Sequence, residues 1–129
     1  MNAKQWIGKA RVAAESAQLL FEHGDSDGAC NRAYYAMFSA ARAALEIAGG
    51  AFRAEQLKTH SGLISAFSMR LVKTGLVSHD LGRTLNKAED LRLASDYRGD
   101  AVKPELAEWA VQSATEFVAA IDAAFFPSS

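Results

Sequence analysis

Apolar residues recur at intervals of three and four along most of the chain, and no segment shows the alternation typical of a half-buried strand. This period predicts amphipathic helices. Asn2 can cap the first one, from Ala3 to His23, and Gly24 lies where a helix commonly ends. Its apolar stripe comprises Trp6, Ala10, Ala13, Ala17 and Leu20.

A second helix is predicted to follow a cap at Asp25 or Ser26 and to stop at the glycine pair 49–50. Its inward stripe comprises Cys30, Ala33, Tyr34, Met37, Ala41, Leu45 and Ala48. The other side has few polar groups and carries Asn31, Tyr35, Phe38 and Arg42. A helix that is apolar or aromatic almost all round is either the central helix of a bundle or part of a subunit interface. Because interfaces are enriched in aromatic residues and arginine, we expect a homodimer.

Two more helices follow a connection that is predicted to run over residues 51–58. Thr59 is the expected cap of the third helix, and Gly75 is its expected end. Ser78 is the expected cap of the fourth helix, and the segment from Tyr97 to Asp100 interrupts the apolar period. The fourth helix is therefore predicted to end near that segment.

The last helix is predicted to start at Pro104, because proline suits the first turn of a helix. Its buried stripe is expected to comprise Leu106, Trp109, Ala110, Ser113, Phe117, Ile121 and Ala124. Helices joined by short connections favour an up-and-down bundle. The pattern thus predicts an all-α bundle of four to five helices that forms one domain over residues 1–129.

Composition agrees with a single globular domain and limits the partners and the cellular compartment that we expect for it. The chain has 129 residues, half of them apolar and 22% charged, and its net charge is −1, so no global positive field indicates a nucleic-acid-binding protein. No apolar run approaches the roughly 18 residues of a membrane span. One cysteine and a start without a secretion signal favour the cytoplasm and predict no membrane partner.

Common enzyme signatures are absent from the sequence. There is no glycine-rich phosphate loop, no His-Glu-x-x-His, no Gly-x-Ser-x-Gly and no paired-cysteine site, and no glutamate has a histidine three residues later. We therefore predict no metal site and no cofactor. Cys30 lies in an apolar helical stripe, where an inert core thiol is the better interpretation.

Three short motifs stand out once these classes are removed. They are NRAYYAMF at residues 31–38, KTH at residues 58–60 and LRLASDYR at residues 91–98. Together they resemble the HEPN domain, in particular its small stand-alone branch from bacteria and archaea. The resemblance extends from the first helix to the last. It implies an all-α bundle that dimerises and is often encoded beside a small nucleotidyltransferase as a toxin–antitoxin pair.

Many HEPN proteins are metal-independent endoribonucleases with an Arg-x(4–6)-His motif that is duplicated across the dimer. Arginine charge stabilises the phosphorane, and histidine moves the proton of the attacking 2′-hydroxyl. Arg92 matches the arginine of that motif, but no histidine follows it at the required spacing. The resemblance therefore suggests Arg92, Tyr97 and Asp96 as catalytic candidates. It also makes Tyr97 the candidate acceptor for a nucleotide attached by the partner.

Further residues are candidates for contacts with RNA or a nucleotide. They are Arg98, Arg42, Tyr35 and Asn31. Other interpretations stay open: Arg92 and Asp96 are four residues apart and can simply pair on one helix face. His60 is expected to have a structural role, and the string formed by Arg53 and His60 is a coincidental match to the motif. The alternative function is a non-catalytic RNA-binding, nucleotide-binding or scaffold module that forms a complex with a small nucleotidyltransferase.

Overall fold

The structure, a computed structural model, describes residues 1–48 and 57–127. These residues form five α-helices, with a π-helical segment at Ser68–Val72 and no strand. The helices are α1 (Ala3–Glu22), α2 (Ser26–Ala48), α3 (His60–Phe67), α4 (His79–Arg98) and α5 (Pro104–Phe125). The prediction of an all-α bundle is confirmed. None of the described helices is long and apolar enough to cross a membrane.

The predicted caps are found at the expected helix starts. Asn2 Oδ1 accepts from the backbone N–H of Gln5 at 2.9 Å, and Gln5 Oε1 accepts from the N–H of Asn2 in return. At α2 the cap is Asp25, whose Oδ1 accepts from the N–H of Gly28 at 2.8 Å. Gly24 ends α1 with a φ of +85°. These bonds satisfy backbone groups that helix termini leave unpaired.

The central element of the bundle is α2, which packs against each of the other four helices. Alanines occupy much of its buried surface, so neighbouring helices can approach it closely. The largest fully buried side chains around it include Tyr34, Phe67, Phe117, Ile7 and Met37. Contacts within one chain therefore account for the apolar character of α2, and that character no longer supports a homodimer, which stays a prediction.

The segment between α3 and α4 differs from the prediction of one continuous α-helix ending at Gly75. After Phe67 the backbone widens into π-helical geometry, and the N–H of Lys73 donates to the carbonyl of Ser68 five residues earlier. Gly75 follows with a φ of +81°. The predicted end is therefore right, although the last turns before it are not α-helical.

The end of α4 also differs from the prediction. The segment expected to break the helix is helical as far as Arg98, and the break comes at Gly99, which has a φ of +72°. The N–H of Asp100 then donates to the carbonyl of Ala94 at 3.3 Å. Glycine takes this left-handed conformation without steric cost, so it closes the helix. Tyr97 and Arg98 therefore lie in the last turn of α4.

In α5 the buried face is rotated slightly from the predicted one. The fully buried residues are Ala107, Ala110, Val111, Ala114, Phe117, Val118 and Ile121. Leu106, Trp109 and Ser113 are half-buried, and Ala124 is exposed. Because α5 packs against both α2 and α1, the positions 107, 111, 114 and 118 are buried beside the predicted ones. The predicted stop of α2 at residues 49–50 and most of the connection over residues 51–58 lie outside the described residues.

Candidate active site

Tyr34 is the centre of a polar cluster that joins three helices. Its side chain, on α2, is fully buried. Its hydroxyl oxygen lies 2.6 Å from Nδ1 of His60, the first residue of α3. The guanidinium carbon of Arg92, on α4, lies 4.9 Å from the centre of the Tyr34 ring. The fold thus brings a histidine and the motif arginine to the same tyrosine. We call Tyr34, His60, Arg92 and Glu89 together the Tyr34 cluster.

His60 is held in place from both its backbone and its ring. Thr59 caps α3, with its Oγ1 accepting from the N–H of Gly62 at 2.9 Å. The imidazole packs beside the rings of Tyr35 and Phe38, whose centres lie 5.7 and 4.9 Å away. Burial lowers the pKa of His60 below its usual 6.5, and the charge of Arg92 lowers it further. The imidazole is therefore predominantly neutral at pH 7.

Arg92 is buried and saturated with carboxylate partners. Its side chain is only 7% exposed, and its Nε and Nη2 donate to Glu89 at 3.2 and 3.1 Å. Its Nη1 donates to Asp96 at 3.2 Å, which is the i,i+4 pair expected as the structural interpretation. Burial alone would lower the pKa of Arg92, but hydrogen bonding and charge from Glu89 raise it overall. Within a single chain, this guanidinium faces carboxylates and the Tyr34 ring rather than solvent.

Tyr34 keeps its proton because burial raises the pKa of its hydroxyl. Glu89 raises that pKa further by hydrogen bonding and by charge, and this outweighs the opposite effect of Arg92. The hydroxyl therefore stays protonated, in contact with the imidazole of His60 and under the influence of the carboxylate of Glu89. Such a group can fix which nitrogen of the imidazole carries the proton.

The other predicted site residues fall into two groups. Tyr97 is 77% exposed, and Arg98 beside it is also exposed. Asn31, Tyr35 and Arg42 are half-buried on one face of α2. Tyr35 contacts His60 of the cluster. Arg42 points the other way along the helix, where its Nε donates to Glu46 at 3.0 Å and its guanidinium lies over the ring of Trp6.

Sequence reasoning missed the roles of Tyr34 and Glu89 and the closeness of His60 to the motif arginine. Glu89 was detectable in principle, because it precedes Arg92 by three residues on the same helix face. The contact between Tyr34 and His60 was not, because it joins residues 26 apart and depends on how α3 packs on α2. The motif that contains His60 was noticed, but no local pattern paired it with α4.

The thiol of Cys30 lies in the core of the bundle. Cys30 is buried as expected, and burial, together with the charges of Asp27 and Asp96, raises the pKa of its thiol to about 11. A thiol of this kind carries little thiolate at neutral pH. Arg53 lies outside the described residues. In residues 1–48 and 57–127 no group of three or more potential metal ligands is found.

Comparisons with known proteins agree with the motifs. The family model for the HEPN domain matches residues 3–123. A "UPF0332 protein" of Thermotoga maritima is 34% identical over 95% of this chain and 93% of its own length. Two Methanocaldococcus jannaschii proteins are also similar, each over 80% of this chain. "Putative toxin MJ0605" is 34% identical over 73% of its own length. "Putative toxin MJ0142" is 30% identical over 67% of its own length. With a match that extends from the start of α1 into the last turn of α5, the chain belongs to the HEPN domain family.

Proposed function

We propose that this chain is the toxin-like subunit of a toxin–antitoxin module and that it cleaves RNA without a metal ion. The observation that carries the proposal is the meeting of His60 and Arg92 on Tyr34. The motif in the sequence lacks a histidine after Arg92, and the fold supplies a neutral imidazole to the same cluster from α3. The names of the two toxin relatives support the toxin role.

The chemistry begins with the tautomer of His60. In the proposed tautomer, the hydroxyl of Tyr34 keeps its proton and donates a hydrogen bond to Glu89, and its oxygen accepts a hydrogen bond from Nδ1–H of His60. Nε2 then carries a free lone pair and can remove the proton from a 2′-hydroxyl of RNA. The oxygen attacks the adjacent phosphorus, and the 5′-oxygen leaves with a proton from water. The products are a 2′,3′-cyclic phosphate and a 5′-hydroxyl end.

The remaining candidates divide between positioning and binding. Arg92, held by Glu89 and Asp96, positions the hydroxyl of Tyr34 through Glu89 and keeps the imidazole neutral by its charge. Arg98 is exposed in the last turn of α4 and is suited to bind a phosphate of the RNA. A homodimer, which the family resemblance implies, would place two such clusters in one particle.

The proposal is tested by incubating the purified protein with a mixed RNA pool in the presence of a chelator and mapping the cut ends by sequencing. We expect cuts that leave cyclic phosphates and 5′-hydroxyls. A preparation of the His60→Gln variant, purified in parallel, measures the background from contaminating nucleases. Cutting at the same level in both preparations, or none in either, contradicts the proposal.

The second candidate is a non-catalytic module that binds RNA or a nucleotide, or complexes with a small nucleotidyltransferase. The observation in its favour is the burial of Arg92, whose nitrogens all have carboxylate partners in a single chain. An arginine in this state stabilises the fold without touching a phosphate. Failure of the RNA test in folded protein would make this the preferred function.

We further propose that a nucleotidyltransferase partner attaches a nucleotide to Tyr97, which the exposure of this side chain supports. The other two tyrosines are poor acceptors, since Tyr34 is fully buried and Tyr35 is half-buried against His60. Mass spectrometry of the protein co-expressed with its genomic neighbour should show the added mass on the peptide that contains Tyr97. The Tyr97→Phe variant should lose it. Modification at another residue, or none in the wild type, would refute this assignment.

A further inference from the structure

A groove between α1 and α2 has the composition of a nucleic-acid subsite. Its volume is about 430 Å³, within the range of roughly 300 to 1,000 Å³ that is common for small-ligand sites. Trp6 and Lys9 line it from α1, and Arg32, Tyr35 and Phe38 line it from α2. None of its lining residues is acidic.

The cations of this α1–α2 groove are paired with aromatic rings. The ammonium of Lys9 lies 5.5 Å from the centre of the Trp6 ring, and the guanidinium of Arg32 lies 5.1 Å from that of Tyr35. Among the described residues, neither cation is in an ion pair, whereas Arg11, Arg42, Arg83 and Arg92 all are. The groove therefore combines two uncompensated positive charges with flat π surfaces.

The groove also leads to the Tyr34 cluster. Tyr35 and Phe38 line its α2 side and at the same time pack against the imidazole of His60. A chain molecule bound along the groove would therefore extend toward the proposed base. A free mononucleotide could fill the groove but could not reach from the groove to His60.

We infer that the α1–α2 groove binds one or two nucleotides of single-stranded RNA, beside the residue that is cut. Aromatic side chains stack on bases that are free of pairing, and cations bind the intervening phosphates. Double-stranded RNA hides the faces of its bases and does not suit this surface. The inference rests on the proposed ribonuclease function, because that function places the cut nucleotide at His60. It adds a subsite that lies partly outside the three sequence motifs, since Trp6 and Lys9 belong to none of them.

Its test uses the two tryptophans of the chain as reporters. In a Trp109→Phe variant the only indole is Trp6, in the groove; in a Trp6→Phe variant it is Trp109, which packs under Lys87 on another face. The probe is an eight-nucleotide RNA with 2′-O-methyl groups, which cannot be cut. We expect it to quench the emission of Trp6 and to leave that of Trp109 unchanged. Equal quenching of both, or of neither at saturation, would overturn the inference.

Affinity and salt dependence provide a second readout. A Lys9→Ala/Arg32→Ala variant should bind the probe about tenfold more weakly at moderate salt, and the slope of log Kd against log salt should fall by about 0.7 for each cation removed. Lys87→Ala removes the same kind of cation from the ring of Trp109 and should change neither value. If 5′-UMP binds with the same affinity as the probe, the ligand of the groove is a mononucleotide and the inference of an RNA strand is wrong.

Failure of the inference can be told from failure of the proposed function. If RNA is cut in a His60-dependent way but the double variant keeps its KM and Trp6 is not quenched, the groove assignment is wrong and the ribonuclease stands. If Trp6 is quenched and no RNA is cut, the groove stands as a site for single-stranded RNA, and the ribonuclease is wrong. If the double variant converts a dimer to a monomer in light scattering, a second copy covers this face, and the inference is overturned.

Discussion

Replacing Arg92 with methionine is expected to lower the free energy of unfolding by about 3 kcal/mol, because it leaves Glu89 as a buried charge without a partner. The side chains of Arg92 and Glu89 are 7% and 15% exposed, so water cannot take over the lost contacts. The packing of the guanidinium on Tyr34 is lost as well. Urea denaturation followed by circular dichroism measures the change.

A double variant separates the charge from the packing. Adding Glu89→Gln to Arg92→Met removes the orphaned carboxylate, and we expect most of the lost stability to return. Arg83→Met is the matched control, since Arg83 also pairs with a carboxylate three residues away, Asp80, but on the surface. It should change the stability by no more than about 0.5 kcal/mol. A similar cost for Arg83→Met and Arg92→Met would show that the buried pair is not special.

This result matters for any functional assay. An alanine at position 92 would weaken the fold and disturb Tyr34 at the same time, so loss of RNA cleavage in that variant alone would not identify a catalytic arginine. The charge-balanced double variant, at a temperature where it is fully folded, is the better comparison. Cleavage that survives in it would assign Arg92 to stability alone, whereas cleavage that is lost in the folded double variant would assign Arg92 and Glu89 to the positioning of Tyr34.

The helix starts could be predicted from the sequence because capping is local chemistry. Asn2, Thr59 and Ser78 each accept from a backbone N–H three residues later, so the signal and the bond lie within one turn. The ion pair of Arg92 and Asp96 could also be predicted, because its two residues lie four positions apart on one helix. Features that depend on packing were predicted less well, such as the buried face of α5 and the π-helical turns after Phe67.

The candidate site could be predicted only in part, for the same physical reason. The sequence pointed to Arg92 by its motif, but it could not show that the guanidinium is buried against Tyr34. Nor could it show that His60 approaches the same ring. These contacts are made when α3 and α4 pack on α2, and their residues are separated by 26 or more positions along the chain. Helical periodicity and capping rules relate residues within a few positions of each other, so they do not indicate contacts between residues so far apart in the sequence.

Replacing His60 with glutamine is expected to reduce the RNA cleavage rate by about 10² to 10⁴, the usual contribution of a general base. Glutamine keeps the size and a hydrogen bond to Tyr34, so the fold and the affinity for uncut RNA should remain. His79→Gln is the matched control, because His79 is exposed at the start of α4. Its cleavage rate should equal that of the wild type. Cleavage is followed with a labelled RNA at saturating concentration.

The pH dependence gives an independent check, since the base must be neutral to take a proton. Burial and Arg92 lower the pKa of His60 below 6.5, so the midpoint of the acid limb of the cleavage rate should lie below pH 6.5. Below the lowered pKa the rate should fall about tenfold per pH unit, as protonation removes the lone pair on Nε2. The residual rate of His60→Gln should lack this acid limb. An acid limb that persists in the variant, or has its midpoint above pH 6.5 in the wild type, would mean that another group is the base.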